Sequence, residues 1–544
     1  MKLEQYTKAQ SGQGIRELTH EFFEYHQNYI QKVGNTHWKE TDSSVSSKMS
    51  LSSQPRSRMI SFVSNDYLGL SQHMQVQSDA IRAINLYGTG FCAAPSIGGY
   101  SSLQKRLEAS LSLFLHTEDT ITFNSGFSAN VGMMSALAQK DDVVFLDKGL
   151  HRNVFEGVKH CICKVLPHND LNALEKALQR YKADGRNLFV IIDGVYSQDG
   201  DLGLVQEYLD ISEKYNAMLI VDDSHGIGVL GETGAGLLEV KGILGKVPLV
   251  TGSLSKAFGT IGGYVSGRKE LIDYIRYYAG SCFSASLPPP CLAAALKSLE
   301  LIQKYAEERK ELLAKAEYAR KKLQEAGFSI TNSSSPIIGI LSPTYDDAVL
   351  WAERLLERNI YIVPMGYPAV SKRHPRLRLA LSHLHSYRDI DQFIAKLTQV
   401  SKPDYQYMAK QRRSSAEISK LIDQATQEII REKGFSGLSV QEVCTRAAID
   451  PTMFYHRYPE GFVFYIEKFI REHDFWFDFY NTHSLENLLG TPEELTNILM
   501  SLWSSLCNDG LLKASLRIAL QDNPSEASIE IAKERDNQAL PLVE

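Results

Sequence analysis

The sequence has little cysteine, no long apolar run and no large excess of either charge. The 544 residues include only seven scattered cysteines, which are too few for a disulfide scaffold and lack the spacing of a zinc site. Such sparse cysteines indicate a reducing compartment, the cytoplasm. No uninterrupted apolar stretch approaches the roughly 18–20 residues that cross a bilayer, and the N-terminus lacks the basic-then-apolar pattern of a secretory signal. The formal net charge of -6 offers no general attraction for nucleic acid or an anionic membrane. We therefore expect a soluble cytoplasmic protein with no membrane span and no bound metal.

The pattern of apolar residues divides the chain into four segments. A chain of 544 residues is too long for one core, because domains usually hold about 100–200 residues. We expect an N-terminal helix and serine-rich arm over 1–58, a large domain over 59–290, a small α+β domain over 291–403 and an all-helical domain over 411–544. Strand and helix patterns alternate through the large domain, which predicts a doubly wound α/β fold with a parallel or mixed sheet covered on both faces.

Within these segments the sequence predicts individual elements. Short apolar runs predict buried strands over residues 119–124, 142–146, 188–192, 217–221 and 249–252. Helical spacing predicts helices over residues 14–32, 103–115 and 171–181, and one long helix over 292–326. The polar residues 41–58 have almost no apolar content, so we expect a loop there.

Two segments that follow predicted strands carry the residues that pyridoxal phosphate (PLP) chemistry requires. Lys256 lies in the small-residue turn 252–259, and Asp222 and His225 lie in the segment 221–226. PLP needs a lysine amine, an acid beside its pyridine nitrogen and donors for its ring hydroxyl. Ligands of open α/β sheets bind beyond the carboxyl ends of the strands, where Asp222 and His225 fall. Lys256 alone is typical of a surface turn, but the two segments together predict a PLP site.

Several other positions that follow predicted strands each suit two roles. Ser125 opens a helix whose free N–H groups can bind the phosphate, or it simply caps that helix. His151 can stack on the pyridine ring or cap a helix, and Ser197 can donate to the ring hydroxyl or lie in a turn. Arg376 and Arg378 share one face of a predicted strand. An arginine there can bind a substrate carboxylate through two hydrogen bonds, or the strand is a solvated edge.

Taken in order, these segments resemble the α-oxoamine synthase family of fold-type I PLP enzymes. The resemblance covers residues 59–400 and is carried by short motifs at 65–70, 87–90, 125–127, 222–225, 252–259 and 280–289. The last motif, with His168-Asn169-Asp170, looks most like serine palmitoyltransferases within the family. The resemblance implies PLP as cofactor and a homodimer with its sites at the subunit interface.

The resemblance also implies roles for the residues around the cofactor ring. Lys256 would bond covalently to the PLP aldehyde, and Asp222 would pair with the pyridine nitrogen. His225 and Ser197 would contact the ring hydroxyl. His151 would stack on the ring and hold the substrate carbonyl. Of these, Lys256, His151, Asp222 and His225 are the expected catalytic residues.

Further roles concern the phosphate and the substrate. The resemblance implies that the phosphate is held by Ser125, Gly126, Phe127, Ser253 and Ser286 of the partner subunit. Asn65 and Arg378 would bind the carboxylate of the amino acid. No metal belongs to this set.

The C-terminal segment has its own resemblance. Residues 415–472 resemble the DNA-binding end of TetR-type regulators, a helix-turn-helix followed by a further helix. The segment that would enter the major groove begins at Asp450 and Pro451 and has few basic side chains, and the charges of residues 411–470 roughly balance. Because phosphate neutralisation dominates DNA binding, we favour a helical dimerisation or docking appendage over DNA binding.

Together the motifs predict a PLP-dependent C-acyltransferase. It would condense an amino acid with an acyl thioester, on coenzyme A or an acyl-carrier protein, and lose CO2 to leave an α-aminoketone. Two alternatives stay open: an aminotransferase or aldolase of the same fold, and a TetR-like DNA-binding regulator that uses the PLP domain as a sensor. Release of both CO2 and free thiol distinguishes the condensation from transamination and aldol cleavage, and a gel shift against DNA distinguishes the enzyme from the regulator.

Overall fold

The structure, a computed structural model, describes residues 14–33, 38–182, 185–401, 415–433 and 438–447, and a few single residues between 449 and 469. The chain divides into two compact units, Met1–Lys402 and Pro403–Glu544. Each unit has its own apolar core. The predicted linker after residue 403, and the predicted helical domain beyond residue 469, lie outside the described residues. The finer boundaries at residues 58 and 290 stay predictions.

The first unit alternates strands and helices. Its strands are β1 (Lys48–Leu51), β2 (Gln54–Ser61), β3 (Asp119–Phe123), β4 (Val143–Asp147), β5 (Ile162–Leu166), β6 (Leu188–Asp193), β7 (Met218–Asp222), β8 (Leu249–Ser253), β9 (Gly263–Gly267), β10 (Ile337–Leu341), β11 (Ile360–Tyr361), β12 (Val363–Met365) and β13 (Arg376–Ala380). Its helices are α1 (Ile15–Val33), α2 (Met74–Tyr87), α3 (Ser102–Leu115), α4 (Gly126–Leu137), α5 (Arg152–Gly157), α6 (Leu171–Tyr181), α7 (Val205–Lys214), α8 (Leu237–Val240), α9 (Lys269–Tyr278), α10 (Pro289–Lys304), α11 (Ala306–Glu325), α12 (Tyr345–Leu356) and α13 (Tyr387–Ser401).

A seven-stranded sheet forms the centre of this unit, in the order β3-β9-β8-β7-β6-β4-β5. The neighbouring strands β5, β4, β6, β7 and β8 are parallel to one another, and β9 pairs antiparallel with both β3 and β8. Each of the five strands that we predicted here begins and ends within one residue of the predicted bounds. The carboxyl ends of β4, β6, β7 and β8 therefore meet at one edge, where ligands of such sheets bind.

The apolar runs of the central strands face two separate cores. In β4, Val143 and Phe145 belong to one core, and Val144 and Leu146 belong to the other. Successive side chains of a strand point to opposite faces, so a strand covered by helices on both sides must be apolar at every position. This burial explains why the sequence showed continuous apolar runs.

The serine-rich arm contradicts the loop that we expected over residues 41–58. β1 and β2 pair antiparallel there, and β2 also pairs with the distant β11. Met49, Leu51 and Met59 are buried in a small cluster beneath these strands. Leu356, from far along the chain, completes the same cluster.

The prediction of one long helix over residues 292–326 is also wrong. The segment forms two helices, α10 and α11, separated at Tyr305, whose φ of -90° and ψ of 45° are not helical. No proline or glycine marks the break. Arg309, the fourth residue of α11, is buried, and its guanidinium donates to the carbonyls of Ile302, Gly231 and Glu232. These contacts lie beside the break between the two helices.

A three-stranded antiparallel sheet, in the order β10-β13-β12, belongs to the C-terminal part of the first unit. β13 lies in its middle, so Arg376 and Arg378 are not on a solvated edge. Both side chains are buried. Two cations in the middle of a sheet need partners, and those of Arg378 lie at the candidate site.

The second unit is described mainly by two helices, α14 (Ser415–Lys433) and α15 (Val440–Arg446). Ser439 caps α15 by accepting the N–H of Glu442. The hydroxyls of Thr426 and Tyr465 form a buried hydrogen bond of 2.8 Å within an apolar core. Residues 434–437 and 450–453 of the TetR-like segment lie outside the described residues.

Candidate active site

The carboxyl ends of β4, β6, β7 and β8 border a cavity of about 440 Å³. All the predicted site residues except Ser286 line it: Asn65, Ser125, Gly126, Phe127, His151, Ser197, Asp222, His225, Ser253, Lys256 and Arg378. These residues span more than 300 positions of the sequence. β12 adds Val363 and Met365 to the wall. The fold therefore brings together a set that the sequence showed only as separate motifs.

Lys256 follows β8, and Asp222 ends the neighbouring β7. Burial lowers the pKa of Lys256, although the charges of Asp222 and Asp193 act in the opposite direction. The Asp222 carboxylate accepts a 2.6 Å hydrogen bond from the Asn130 side chain and a 3.0 Å bond from the Ser224 N–H. These donors stabilise the ionised carboxylate. The cavity thus holds both an amine whose pKa is lowered and a carboxylate that accepts two hydrogen bonds.

The backbone donors at the start of α4 suit a phosphate. Ser125 caps this helix by accepting the N–H of Ser128 at 3.0 Å. A Cβ on Gly126 would lie 3.1 Å from the Cβ of Ser253, so the helix end and the turn after β8 approach closely. Ser253 accepts the N–H of Ser255 at 3.2 Å. A helix N-terminus with small hydroxyl side chains around it is a favourable anion site.

A chain of hydrogen bonds joins two sides of the cavity through Tyr67, which the sequence analysis missed. The Tyr67 hydroxyl lies 2.7 Å from Nδ1 of His225 and 3.3 Å from Oδ1 of Asn65. Arg378 donates to the same Asn65 oxygen from both Nη atoms at 3.2 Å, and its Nε donates to the Ser197 carbonyl at 2.7 Å. Burial lowers the pKa of His225 well below its usual range, helped by the positive charges of Lys256 and Arg378. His225 is therefore neutral.

Asp193 is a second residue that the sequence analysis missed. It ends β6 directly opposite Asp222 of β7 and lines the cavity. Burial and the neighbouring Asp222 charge raise the pKa of Asp193 well above its usual range. Among the described residues its Oδ1 has no hydrogen-bond partner. The sequence could have indicated Asp193, because it directly follows a predicted buried strand, as Asp222 does.

Ser286 is the predicted residue that the structure places elsewhere. It lines a different cavity of about 430 Å³, and its hydroxyl donates to the Gly99 carbonyl at 2.8 Å. The predicted contact of Ser286 with the phosphate concerns a second copy of the chain, so it stays a prediction. His151, by contrast, lines the main cavity and caps α5 by accepting the N–H of Asn153 at 3.3 Å.

Within the described residues, no group of three or more His, Cys, Asp or Glu side chains is placed to hold a metal ion. The helices of the described part of the chain include none that is long and apolar enough to cross a membrane. The groups in the main cavity fit PLP: an amine, a carboxylate for the ring nitrogen and a phosphate seat at a helix N-terminus.

Comparison with known proteins gives consistent matches over the first unit. The model of the family "Aminotransferase class I and II" matches residues 57–397. The 8-amino-7-oxononanoate synthase of Thermosipho melanesiensis is 36% identical over 348 residues, which are 63% of this chain and 89% of that protein. The serine palmitoyltransferase of Sphingomonas wittichii is 26% identical, covers 72% of this chain and 98% of its own, and superposes with a TM-score of 0.68.

A third match was solved with the cofactor. The serine palmitoyltransferase of S. paucimobilis, with bound PLP and myriocin, is 24% identical, covers 72% of this chain and 99% of its own, and has a TM-score of 0.68. These matches confirm the predicted fold-type I PLP transferase fold and the predicted cofactor. They also confirm the resemblance to α-oxoamine synthases, a group that includes the named relatives. The chain belongs to the aminotransferase class I and II family.

Proposed function

We propose that this protein condenses an amino acid with an acyl thioester at the main cavity, with release of CO2 and free thiol, to give an α-aminoketone. The observation that carries the proposal is the single cavity that holds Lys256, Asp222 and the Asn65–Arg378 pair. Relatives named 8-amino-7-oxononanoate synthase and serine palmitoyltransferase support it. PLP, when bound, withdraws electrons from the Cα atom of an attached amino acid and so acidifies its Cα–H bond.

Lys256 and Asp222 are the residues that we expect to move or hold protons. Lys256 would hold the cofactor through its amine, and the same amine would be the base that takes the Cα proton. The lowered pKa of Lys256 favours the neutral amine that this step requires. Asp222 would hold a proton on the pyridine nitrogen, because a carboxylate beside such a nitrogen favours its cationic form.

Binding and orientation fall to the other residues of the cavity. Arg378 and Asn65 bind the carboxylate of the amino acid, since the planar guanidinium can donate two parallel hydrogen bonds. His151 would pack against the ring and hold the thioester carbonyl, and His225 would donate to the ring hydroxyl with Ser197. The phosphate would bind at the start of α4 and the turn after β8, through Ser125, Gly126, Phe127 and Ser253.

Two finer features are also part of the proposal. We infer a homodimer, in which Ser286 of the partner subunit reaches the phosphate and each site lies at the subunit interface. Several large apolar side chains near Ser286 are exposed in the single chain, among them Ile97 and Phe283, and a partner subunit would cover them. We also infer a cytoplasmic location, which the small number of scattered cysteines supports.

The second unit is proposed to be a TetR-like helical appendage that docks or dimerises. In the described part of this unit, the Arg446 guanidinium lies 2.8 Å from the Glu432 carboxylate and 3.9 Å from that of Glu428. A cation with acidic neighbours contributes little to phosphate neutralisation. This pairing supports docking over DNA binding.

The attachment of the cofactor tests the proposed site directly. The PLP-loaded protein is reduced with borohydride and digested, and the peptides are sequenced by mass spectrometry. We expect the pyridoxyl group on Lys256 in the wild type and on no lysine in Lys256→Ala. A label on another lysine, or equal labelling of the variant, would show that the site is wrongly assigned.

A further inference from the structure

Two carboxylates and a histidine lie in a row beside the cavity, outside the residues assigned above. Asp147 ends β4, and His168 lies in the turn that follows β5. Nδ1 of His168 is 2.8 Å from Oδ1 of Asp147, and Nε2 is 2.7 Å from Oδ2 of Asp201. The Asp147 side chain is completely buried, whereas that of His168 is 33% exposed. We call this row of three residues the His168 bridge.

The geometry of the His168 bridge fixes the protonation state of its histidine. Each ring nitrogen faces a carboxylate oxygen, and an ionised carboxylate only accepts hydrogen bonds. A neutral imidazole has one N–H, whereas the imidazolium has two. Burial alone would lower the pKa of His168, but the hydrogen bonds and charges of Asp147 and Asp201 outweigh it and raise that pKa to about 10. His168 is therefore a cation at neutral pH, with an aspartate side chain at each ring nitrogen.

On one side, the His168 bridge holds the turn that carries His151. The Asp147 carboxylate accepts the N–H of Gly149 at 2.6 Å and the N–H of Asn169 at 2.7 Å. A Cβ on Gly149 would lie 2.9 Å from the ring of Tyr196 and 3.0 Å from Nδ1 of His168. The turn between β4 and α5 is thus packed directly against His168 and has no room to shift towards it.

On the other side, the His168 bridge holds the loop that carries Ser197. The backbone carbonyl of Asp201 accepts the N–H of Tyr196 at 3.0 Å, and that of Tyr196 accepts the N–H of Gly200 at 2.9 Å. The His168 ring stands edge-on to Tyr196, with 4.3 Å between ring centroids and 90° between planes. His168 therefore contacts both loops that bring predicted cofactor contacts to the cavity.

We propose that His168, as an imidazolium between Asp147 and Asp201, is a positioning residue that ties the His151 turn to the Ser197 loop. It touches neither substrate nor cofactor, and it acts by fixing where these two side chains meet the cofactor. Without a cation between them, the two carboxylates repel each other and separate the loops. This role for His168 rests on the proposed function, whereas its charge state does not.

The first experiment measures the charge state in the full-length protein. Histidine is labelled with ¹⁵N, His168→Gln assigns the His168 signals, and both ring nitrogens are followed by NMR as the pH rises. We expect two protonated nitrogens at neutral pH and a midpoint near the pKa of about 10. Asp201→Asn should lower this midpoint while leaving the fold intact. A neutral His168 ring at neutral pH would overturn the proposal.

The second experiment measures the consequence for the cofactor. His168→Gln should weaken PLP binding by roughly tenfold, as the loss of supporting hydrogen bonds does in metal sites, and should reduce the visible circular dichroism of the bound cofactor. His168→Lys, which keeps a cation, should recover part of both. The matched control is His160→Gln, because the exposed His160 ring also makes one 2.8 Å bond, to the Ala138 carbonyl, away from the cavity.

The outcomes separate the two levels of the proposal. Unchanged PLP affinity and unchanged visible circular dichroism in a folded His168→Gln protein would overturn the positioning role. If His168→Gln does not fold, the same two readouts in Asp201→Asn decide. Failure of the wild type to bind PLP would refute the proposed function, and the NMR result for the His168 charge would still stand.

Discussion

The Tyr67 hydroxyl has one proton and two neighbours that can accept it. The contact with Nδ1 of His225 is 2.7 Å, and that with Asn65 is 3.3 Å, so His225 is the better acceptor. Burial raises the pKa of Tyr67 to about 12, so the proton stays on the hydroxyl. If Nδ1 of neutral His225 accepts, its Nε2 must carry the hydrogen. His225 can then donate into the cavity, as its proposed contact with the ring hydroxyl requires.

The first prediction follows from this tautomer. Tyr67→Phe should weaken PLP binding by about five- to tenfold, because one hydrogen bond contributes about 1 kcal/mol, and should shift the pH titration of the cofactor's visible absorbance. Tyr264→Phe is the matched control: Tyr264 is equally buried, and its hydroxyl has no hydrogen-bond partner in the described chain. Equal titrations for Tyr67→Phe and the wild type would argue against control of the His225 tautomer.

At the scale of elements, the His168 bridge predicts how stability depends on pH. The folded-state pKa of about 10 lies above the ordinary value of 6.5, so the bridge stabilises the folded protein fully below about pH 6.5 and not at all above about pH 10. The other groups that face it are Asp147, Asp201, Tyr196 and Tyr208. Burial, and then the Asp147 charge, raise the pKa values of both tyrosines, so neither tyrosine titrates below about pH 10.

The measurement is the free energy of unfolding of the wild type and of His168→Gln in urea. The difference between the two should decrease steadily from about pH 7 to about pH 10. The direction follows because the folded state binds the proton more tightly than the unfolded state does. A difference that stays constant or grows over this range would contradict the imidazolium assignment.

Some helices and strands could be predicted from the sequence, and others could not. The central strands were predicted to within a residue because burial on both faces leaves a continuous apolar run. β2 was missed because its partner β11 lies some 300 residues away, and the break at Tyr305 carries no local signal. The motif residues could be proposed because they follow predicted strands. Tyr67 and His168 contact partners that only the folded chain brings near, so spacing alone did not indicate them.

At the scale of the whole molecule, the cavity belongs to the first unit alone. Its lining residues run from Asn65 to Arg378, all within Met1–Lys402. A chain that ends at Lys402 should therefore bind PLP as tightly as the full-length protein and keep its condensation activity, as measured by visible absorbance and by thiol release. Loss of PLP binding in a truncated chain that remains folded would show that the second unit contributes to the site.

The most direct test of the proposed function is the stoichiometry of its two small products. The PLP-loaded protein is incubated with an amino acid and an acyl thioester, and CO2 and free thiol are measured together, with Lys256→Ala as the control. We predict equal amounts of CO2 and thiol from the wild type and neither from Lys256→Ala. Thiol without CO2, or equal release by Lys256→Ala, would contradict a decarboxylative condensation at this cavity.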